Sequence, residues 1–330
     1  MIAAIFEIDH QPPITNRHHT ISMPYDLTSR LVIGLVSSAL FDLTESDEVF
    51  RNEGEDAYRA YQRKKQHIPL EPGVAFAFIR RLLSLNELNK DDPLVEVILL
   101  SRNDPDTGMR VMDSIKKYQL NISRALFLQG GAPQRYIAPL NIALFLSANQ
   151  VDVQQAILAG HPAGQVLSGV TPGDNDSGEL RIAFDFDGVI ADDAAEAVYQ
   201  AHNQLDDFHQ HEQDLIDVPH NPGPLAEFLK KLSTIQEIEQ KRLSSDPQYK
   251  QKLRISIVTA RNAPSHERVV NTMRTWGISI NEAFFLGGIE KKLVLEVLQP
   301  HIFFDDQRLH LDAAAGTLPC VHIPFGVRNR

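Results

Sequence analysis

Cysteine is nearly absent: the 330 residues hold one, Cys320. No internal disulfide can form, and a reducing compartment fits. A small apolar filler on a late strand is a better reading of Cys320 than a nucleophile. Positive charge is also short. Lys and Arg number 32 against 43 Asp and Glu, a formal net charge of -11. Nucleic-acid backbones and anionic membranes select for basic surfaces, so neither is expected as a partner. An anionic small molecule stays compatible, since a local group of Lys, Arg and a metal ion can reverse the field inside one pocket. Long apolar runs are missing too. The longest, near Leu31 to Leu43, is interrupted by Gly34, Ser37, Ser38 and Asp42, and it is too short to span a bilayer. The opening MIAAIFEIDHQPP carries Glu7 and Asp9 and has no basic start, a poor match to a signal peptide. A cytoplasmic protein is expected, and a homo-oligomer is left open.

What is present is a normal globular mixture, 43% hydrophobic and 23% charged, able to bury a sizeable core. Residues 1–25 read as an irregular segment rich in His, Pro and Thr. Strand-like runs follow at 31–41, 95–101, 124–128 and 142–147, separated by helical stretches at 44–65, 72–88 and 106–120. A turn-rich acidic linker is expected at 171–179. Strands then recur at 180–190, 254–260, 282–286 and 301–306, with helices at 222–235 and 266–277. Strands alternating with helices predict an α/β fold with a parallel sheet.

The two halves, 26–170 and 180–330, look like copies of each other. Pro72-Gly73 matches Pro222-Gly223. ILLSRNDP (98–105) lies over IVTARNAP (257–264), and LVIGLVSSALF (31–41) over LRIAFDFDGVI (180–190) without a gap. In this comparison Asp185 falls on Val36, Asp187 on Ser38, Asp305 on Ser147, Asp306 on Ala148 and Lys291 on Gln134. An active second half and a degenerate first half are expected. Arg261 and Asn262 recur as Arg102 and Asn103, which favours a structural turn role, with Arg261 near an anionic group as the alternative.

Four elements carry candidate chemistry. FDFDGV (184–189) puts Asp185 and Asp187 two apart at the end of an apolar strand. Parallel α/β sheets bind ligands in the crevice beyond the carboxyl ends of their strands. Thr259 ends the strand of VTAR. GGIEKK (287–292) offers Lys291 or Lys292 at the start of an apolar helical stretch. IFFDDQ (302–307) supplies Asp305 and Asp306, a pair suited to a hard cation. Each alone has an ordinary reading as a turn, cap or surface residue. Their order and shared place at strand ends give them weight. His202, His209, His211 and His220 fit no compact metal-binding spacing, and a solvated helix face is the expectation.

The order Asp-x-Asp, Thr, Lys, paired acids resembles the haloacid dehalogenase superfamily of phosphatases. FDFDGVIADDAAE, VTARNAP, WGI, EAFFLGGIEK, PHIFFDDQ and HIPFGV, with VSSALF, YRAYQ, PGVAFAF and LFLSAN in the first half, resemble the cytosolic 5′-nucleotidase I family. The likeness runs from about residue 25 to 327. It implies a Rossmann-like parallel sheet of the haloacid dehalogenase type, with a small helical cap inserted at about 194–222. It also implies Mg²⁺-dependent hydrolysis of nucleoside 5′-monophosphates, AMP prominently. By resemblance Asp185 is the nucleophile and Asp187 the acid and base. Thr259 and Lys291 hold the phosphoryl oxygens, Lys291 fitting the family position better than Lys292. Mg²⁺ is expected on Asp185, the backbone carbonyl of Asp187 and Asp305, with Asp306 in support. Phe186, Gly188 and Arg261 are expected beside the substrate. Phe186 stands where a smaller residue is expected in animal relatives, which leaves fine substrate preference open. Two other readings remain: a phosphatase of another small phosphomonoester such as a sugar phosphate, and a nucleotide-binding regulatory protein without turnover.

Overall fold

The structure, a computed structural model, describes residues 25–170, 178–202 and 205–329. The expected irregular segment, up to residue 24, and most of the expected linker, 171–177, lie outside the described residues. Ten strands form one sheet. They are β1 (Leu31–Leu35), β2 (Val95–Ser101), β3 (Arg124–Phe127), β4 (Leu144–Ser147), β5 (Ala163–Val166), β6 (Leu180–Phe184), β7 (Leu253–Thr259), β8 (Glu282–Phe285), β9 (Ile302–Asp305) and β10 (Cys320–His322). Their order is β3-β2-β1-β4-β5-β10-β9-β6-β7-β8. Read inward from either edge, the order is the same. All pairings are parallel except at the centre, where β5 meets β10 antiparallel through Val166↔Val321 and Gln165↔His322. This is the α/β, Rossmann-like parallel sheet expected from the alternating strands and helices, now continuous across both halves.

The inner strands are largely buried because helices cover both faces, which is why they read as apolar runs, while the edge strands β3 and β8 are only partly buried. Beneath the end of β6, the rings of Phe184 and Phe304 stack at 5.1 Å, and Phe228 closes on both edge-on at 5.9 and 6.0 Å. Phe78 from the first half meets Phe304 at 6.4 Å. One apolar cluster therefore runs through both halves. Reciprocal polar contacts tie them as well. Arg81 Nη1 donates to Glu179 O (2.9 Å), and Lys231 Nζ donates to Arg30 O (2.7 Å). Helix Phe76–Ser84 packs on β6 and helix Ala226–Ser245 on β1.

Several element boundaries differ from expectation. The runs at 31–41 and 180–190 stop being strand at Leu35 and Phe184, because a short helix, Ser37–Leu40, follows the first and a turn through Gly188 the second. The helical stretch 44–65 is split by Gly54 into Thr44–Glu53 and Glu55–Lys64. The helix placed at 222–235 runs over Ala226–Ser245. β5, AGQV, was not expected. Its Gly164 is what brings the halves together: a Cβ there would lie 2.4 Å from Val321 Cγ1. Pro-Gly also earns its recurrence. Gly73 N donates to Leu40 O, and Gly223 N to Ile190 O, both at 2.8 Å. A Cβ at Gly223 would lie 2.3 Å from Ala191 O.

His301, buried before β9, accepts a hydrogen bond from Arg181 N at Nδ1 (2.9 Å). Burial, with Arg81 and Arg181 nearby, pushes its pKa down from 6.5 to about 3. The unfolded chain then binds a proton that the folded chain refuses between those two values, so stability is full above about pH 6.5 and falls as the pH drops below it. Thermal melts over a pH series are expected to show a shallower acid loss for His301→Gln than for the parent. Parallel curves would contradict this origin of the acid sensitivity.

Candidate active site

The carboxyl ends of β6, β7 and β9 lie side by side, and each delivers expected residues. Asp185 follows β6, Thr259 ends β7, and Asp305 ends β9 with Asp306 next to it. Lys291 opens helix Lys291–Leu298. These five side chains are all buried. Lys291 Nζ lies 2.6 Å from Asp185 Oδ2 and 2.7 Å from Asp305 Oδ2. Segments more than a hundred residues apart in sequence thus meet on one ammonium. Lys292, the other candidate, is partly exposed and faces Glu296.

The balance of charge in this pocket is lopsided. Burial pushes the Asp185 carboxyl up to about 7, against the pull of Lys291 and with the added repulsion of Asp305. Burial also works against an ionised Asp305, but Lys291 and His310 hold it below the usual carboxylate range. Asp306 is pushed up to about 9 by burial and by its acidic neighbours. Its Oδ1 is buried without a hydrogen-bond partner. Burial disfavours the Lys291 ammonium, yet Asp185 and Asp305 keep it firmly protonated. Crowded carboxylates with one shared ammonium and an orphaned oxygen make an oxygen-rich donor set, which suits a hard divalent cation. Asp185, Asp305 and His310 each bring a ligand atom within 4.8 Å of the others. His310 was not among the expected residues. It comes from helix Arg308–Ala314, and its Nδ1 lies 3.1 Å from Asp305 Oδ2.

Asp187 sits apart from Lys291. Its two oxygens accept from Arg261 Nε (2.7 Å) and Nη2 (2.6 Å), a bidentate pair. Arg261 is therefore central, and the structural turn role expected from its recurrence is corrected. The recurrence itself is one residue out. Asn103 N and Arg261 N make the same bond, to Ser101 Oγ (3.2 Å) and Thr259 Oγ1 (3.3 Å). Position by position, Arg261 matches Asn103, and Thr259 matches Ser101. A second slip lies in the first loop. Val36 and Asp185 donate alike, to Leu146 O and Phe304 O, whereas Leu40 matches Ile190. The second half has one residue more in this loop, and Gly188 takes it up in a left-handed turn at φ +71.

Phe186, expected against the substrate, is wholly buried. Its ring lies under the Arg261 guanidinium at 5.3 Å and edge-on to His220 at 5.2 Å. It packs the site from beneath. The solvated helix face expected for the histidines is also corrected in part. His220 is buried with Nε2 3.2 Å from Glu212 Oε2, and His209 Nε2 lies 2.9 Å from Asn262 Oδ1. The side chain of His202 lies outside the described residues. The cap helices are Ala194–His202 and Leu205–Asp214. From the second, the buried Glu212 reaches Arg261 Nη1 and accepts from Arg268 Nη1 at 2.8 Å. Burial opposes its charge, but His220 and Arg261 hold it well below the usual range.

A family model for 5′-nucleotidases matches residues 23–330. The chain belongs to the 5′-nucleotidase family. Human cytosolic 5′-nucleotidase 1B is 32% identical over 290 residues, which is 86% of this chain and 47% of the relative. The chain spans about half the length of the curated relative it matches. No solved structure matches it significantly. The 5′-nucleotidase family, whose members are phosphomonoester hydrolases of the haloacid dehalogenase type, implies a divalent metal, and the acidic group around Asp185 and Asp305 is where the donors for one gather. Among the described residues, no helix is long and apolar enough to cross a membrane.

Gly188 lies against this group: a Cβ there would stand 2.6 Å from Asp306 Oδ2. Gly188→Ala is expected to lower the unfolding free energy by about 1–2 kcal/mol from the left-handed backbone alone, with a further loss from the displaced Asp306. Urea unfolding of the two proteins measures the sum, and an unchanged midpoint would remove the close packing of Gly188 on Asp306.

Proposed function

We propose that the chain hydrolyses nucleoside 5′-monophosphates of the AMP type to nucleoside and phosphate. Its cofactor in this reading is Mg²⁺. The observation that carries the proposal is the convergence of Asp185 and Asp305 on Lys291 at the carboxyl ends of neighbouring parallel strands.

A phosphate monoester resists an anionic nucleophile because its own oxygens repel it, so the site has to supply position and positive charge. Asp185 attacks phosphorus in line through a carboxylate oxygen, and the bond from phosphorus to the 5′-oxygen breaks. Asp187 gives that oxygen its proton. It then takes a proton from the water that attacks the aspartyl-phosphate, releasing phosphate and restoring Asp185. Lys291 and the Thr259 hydroxyl hold the transferring oxygens. Asp185, Asp305 and the backbone carbonyl of Asp187 would hold the cation, with Asp306 in support. The cation would supply charge stabilisation to the phosphoryl oxygens and keep the crowded carboxylates ionised. Arg261 orients Asp187 instead of meeting the substrate directly. The cap helices close over the nucleoside.

The first half fits this reading as a degenerate copy of the second. Its strand order is the same. Val36, Ser38, Ser147 and Ala148 stand where Asp185, Asp187, Asp305 and Asp306 stand, so fold was kept and carboxylates were lost. A cytoplasmic setting accompanies the reading, as the name of the human relative suggests.

A panel of monophosphates tests the substrate class. AMP, IMP and their deoxy forms are expected to be turned over, and a sugar phosphate turned over faster than all of them would transfer the chemistry to another substrate. Asp185→Asn is expected to reduce phosphate release to background, and Asp187→Asn to slow it by about 100- to 10,000-fold. Chelation is expected to abolish turnover and added Mg²⁺ to restore it. Activity indifferent to chelation would remove the role given to Asp305.

A further inference from the structure

The buried chain Asp187–Arg261–Glu212 joins the acid–base candidate to the cap, and nothing in the scheme above uses its far end. Arg261 is fixed on every side. Phe186 lies on one side of it at 5.3 Å, and Phe208, from the cap, at 5.2 Å. Nε and Nη2 serve Asp187, and Nη1 serves Glu212. Glu212 in turn is held by Arg268, whose Nε donates to Val218 O at 2.9 Å.

The ordinary explanation of Glu212 is that it fastens the cap helix to the sheet. The first half tests that explanation within the same molecule. There Arg110 Nε donates to Ile68 O at 3.0 Å, and Arg110 Nη1 faces Gln62 Oε1 at 3.4 Å. His220 N donates to Thr272 Oγ1 at 3.1 Å, and Leu70 N donates to Ser114 Oγ at 2.9 Å. Gln62 is buried, as Glu212 is. The fastening is thus complete with a neutral amide. The carboxylate occurs in the half that also has Arg261 and Asp187, and the other half has Gln62, Asn103 and Ser38 in those three places. A buried carboxylate costs desolvation free energy that the neutral amide avoids. Its charge therefore serves the two partners that the first half lacks, His220 and Arg261, and of these Arg261 is the one that holds Asp187.

We propose that Glu212 is a positioning residue: by taking Nη1 of Arg261 it leaves Nε and Nη2 as a fixed fork that aims both oxygens of Asp187. The inference rests on the role of Asp187 proposed above. Without the Glu212 charge, the guanidinium loses one of its two carboxylate partners and the fork is free to turn. The step that suffers is proton delivery to the leaving 5′-oxygen.

The test is Glu212→Gln, which copies Gln62. Two probes share one nucleoside: the 5′-monophosphate and its 5′-S-phosphorothiolate, whose thiolate departs without needing a proton. The kcat/KM for each covers the steps up to leaving-group departure. The variant is expected to lose about tenfold or more on the oxygen ester relative to the sulfur ester, a ratio that a lower melting temperature leaves untouched. Arg261→Asn, which copies Asn103, is expected to show the same selective loss. Equal losses on both esters would assign Glu212 to structure alone, since fewer active molecules lower both rates together. A Glu212→Gln protein that does not fold would also overturn the inference, because the charge would then be needed for the cap. A parent protein that cleaves neither ester would instead remove the nucleotidase reading, and the inference with it.

Discussion

One ammonium holds the centre of this protein together. Lys291 stands between Asp185 and Asp305, all three out of water, with Asp306 close by and one of its oxygens unpaired. Removing carboxylates from water is expensive unless positive charge comes with them. Here the positive charge provided by the protein is smaller than the negative charge it gathers. Such a pocket attracts cations, as the proposed reading requires. It is also a poor device for stability, and the first half of the chain keeps the same sheet with Val, Ser and Ala in those positions.

That internal repeat does more than explain the topology. On the proposed reading it separates residues kept for the fold from residues kept for chemistry. Pro-Gly and the arginine on a backbone carbonyl recur because the backbone needs them. The carboxylates, Lys291, Arg261 and His220 do not recur, and they make up the Lys291 pocket and the Asp187–Arg261–Glu212 group. The halves are not independent modules. The antiparallel junction of β5 with β10 and a shared aromatic core make one folding unit of them.

Much of this was legible in the sequence, for identifiable reasons. Asp185, Thr259 and Asp305 were found because strand ends in a parallel sheet are easy to see as apolar runs that stop, and Lys291 was set above Lys292 by the family resemblance. β5 was not, since AGQV has neither β-branched density nor alternation. A missing residue opposite Gly188 and a one-residue slip at Arg102 are invisible to pattern matching, because strand register is set by hydrogen bonds rather than by identities. Glu212 and Arg268 were missed because a charged residue on a polar helix looks solvated until the tertiary structure buries it, and His310 because nothing local ties its helix to Asp305. One signal did exist for Glu212: it stands ten residues before Pro222, as Gln62 stands ten before Pro72.

The central claim is that Asp185 forms a covalent bond to phosphorus. Rapid acid quenching of the enzyme with a nucleoside [³²P]monophosphate, followed by peptide mapping, addresses it directly. The expected result is label on the peptide that contains Asp185, formed and lost at rates compatible with turnover. Turnover with no labelled protein, or label on a different peptide, would contradict it.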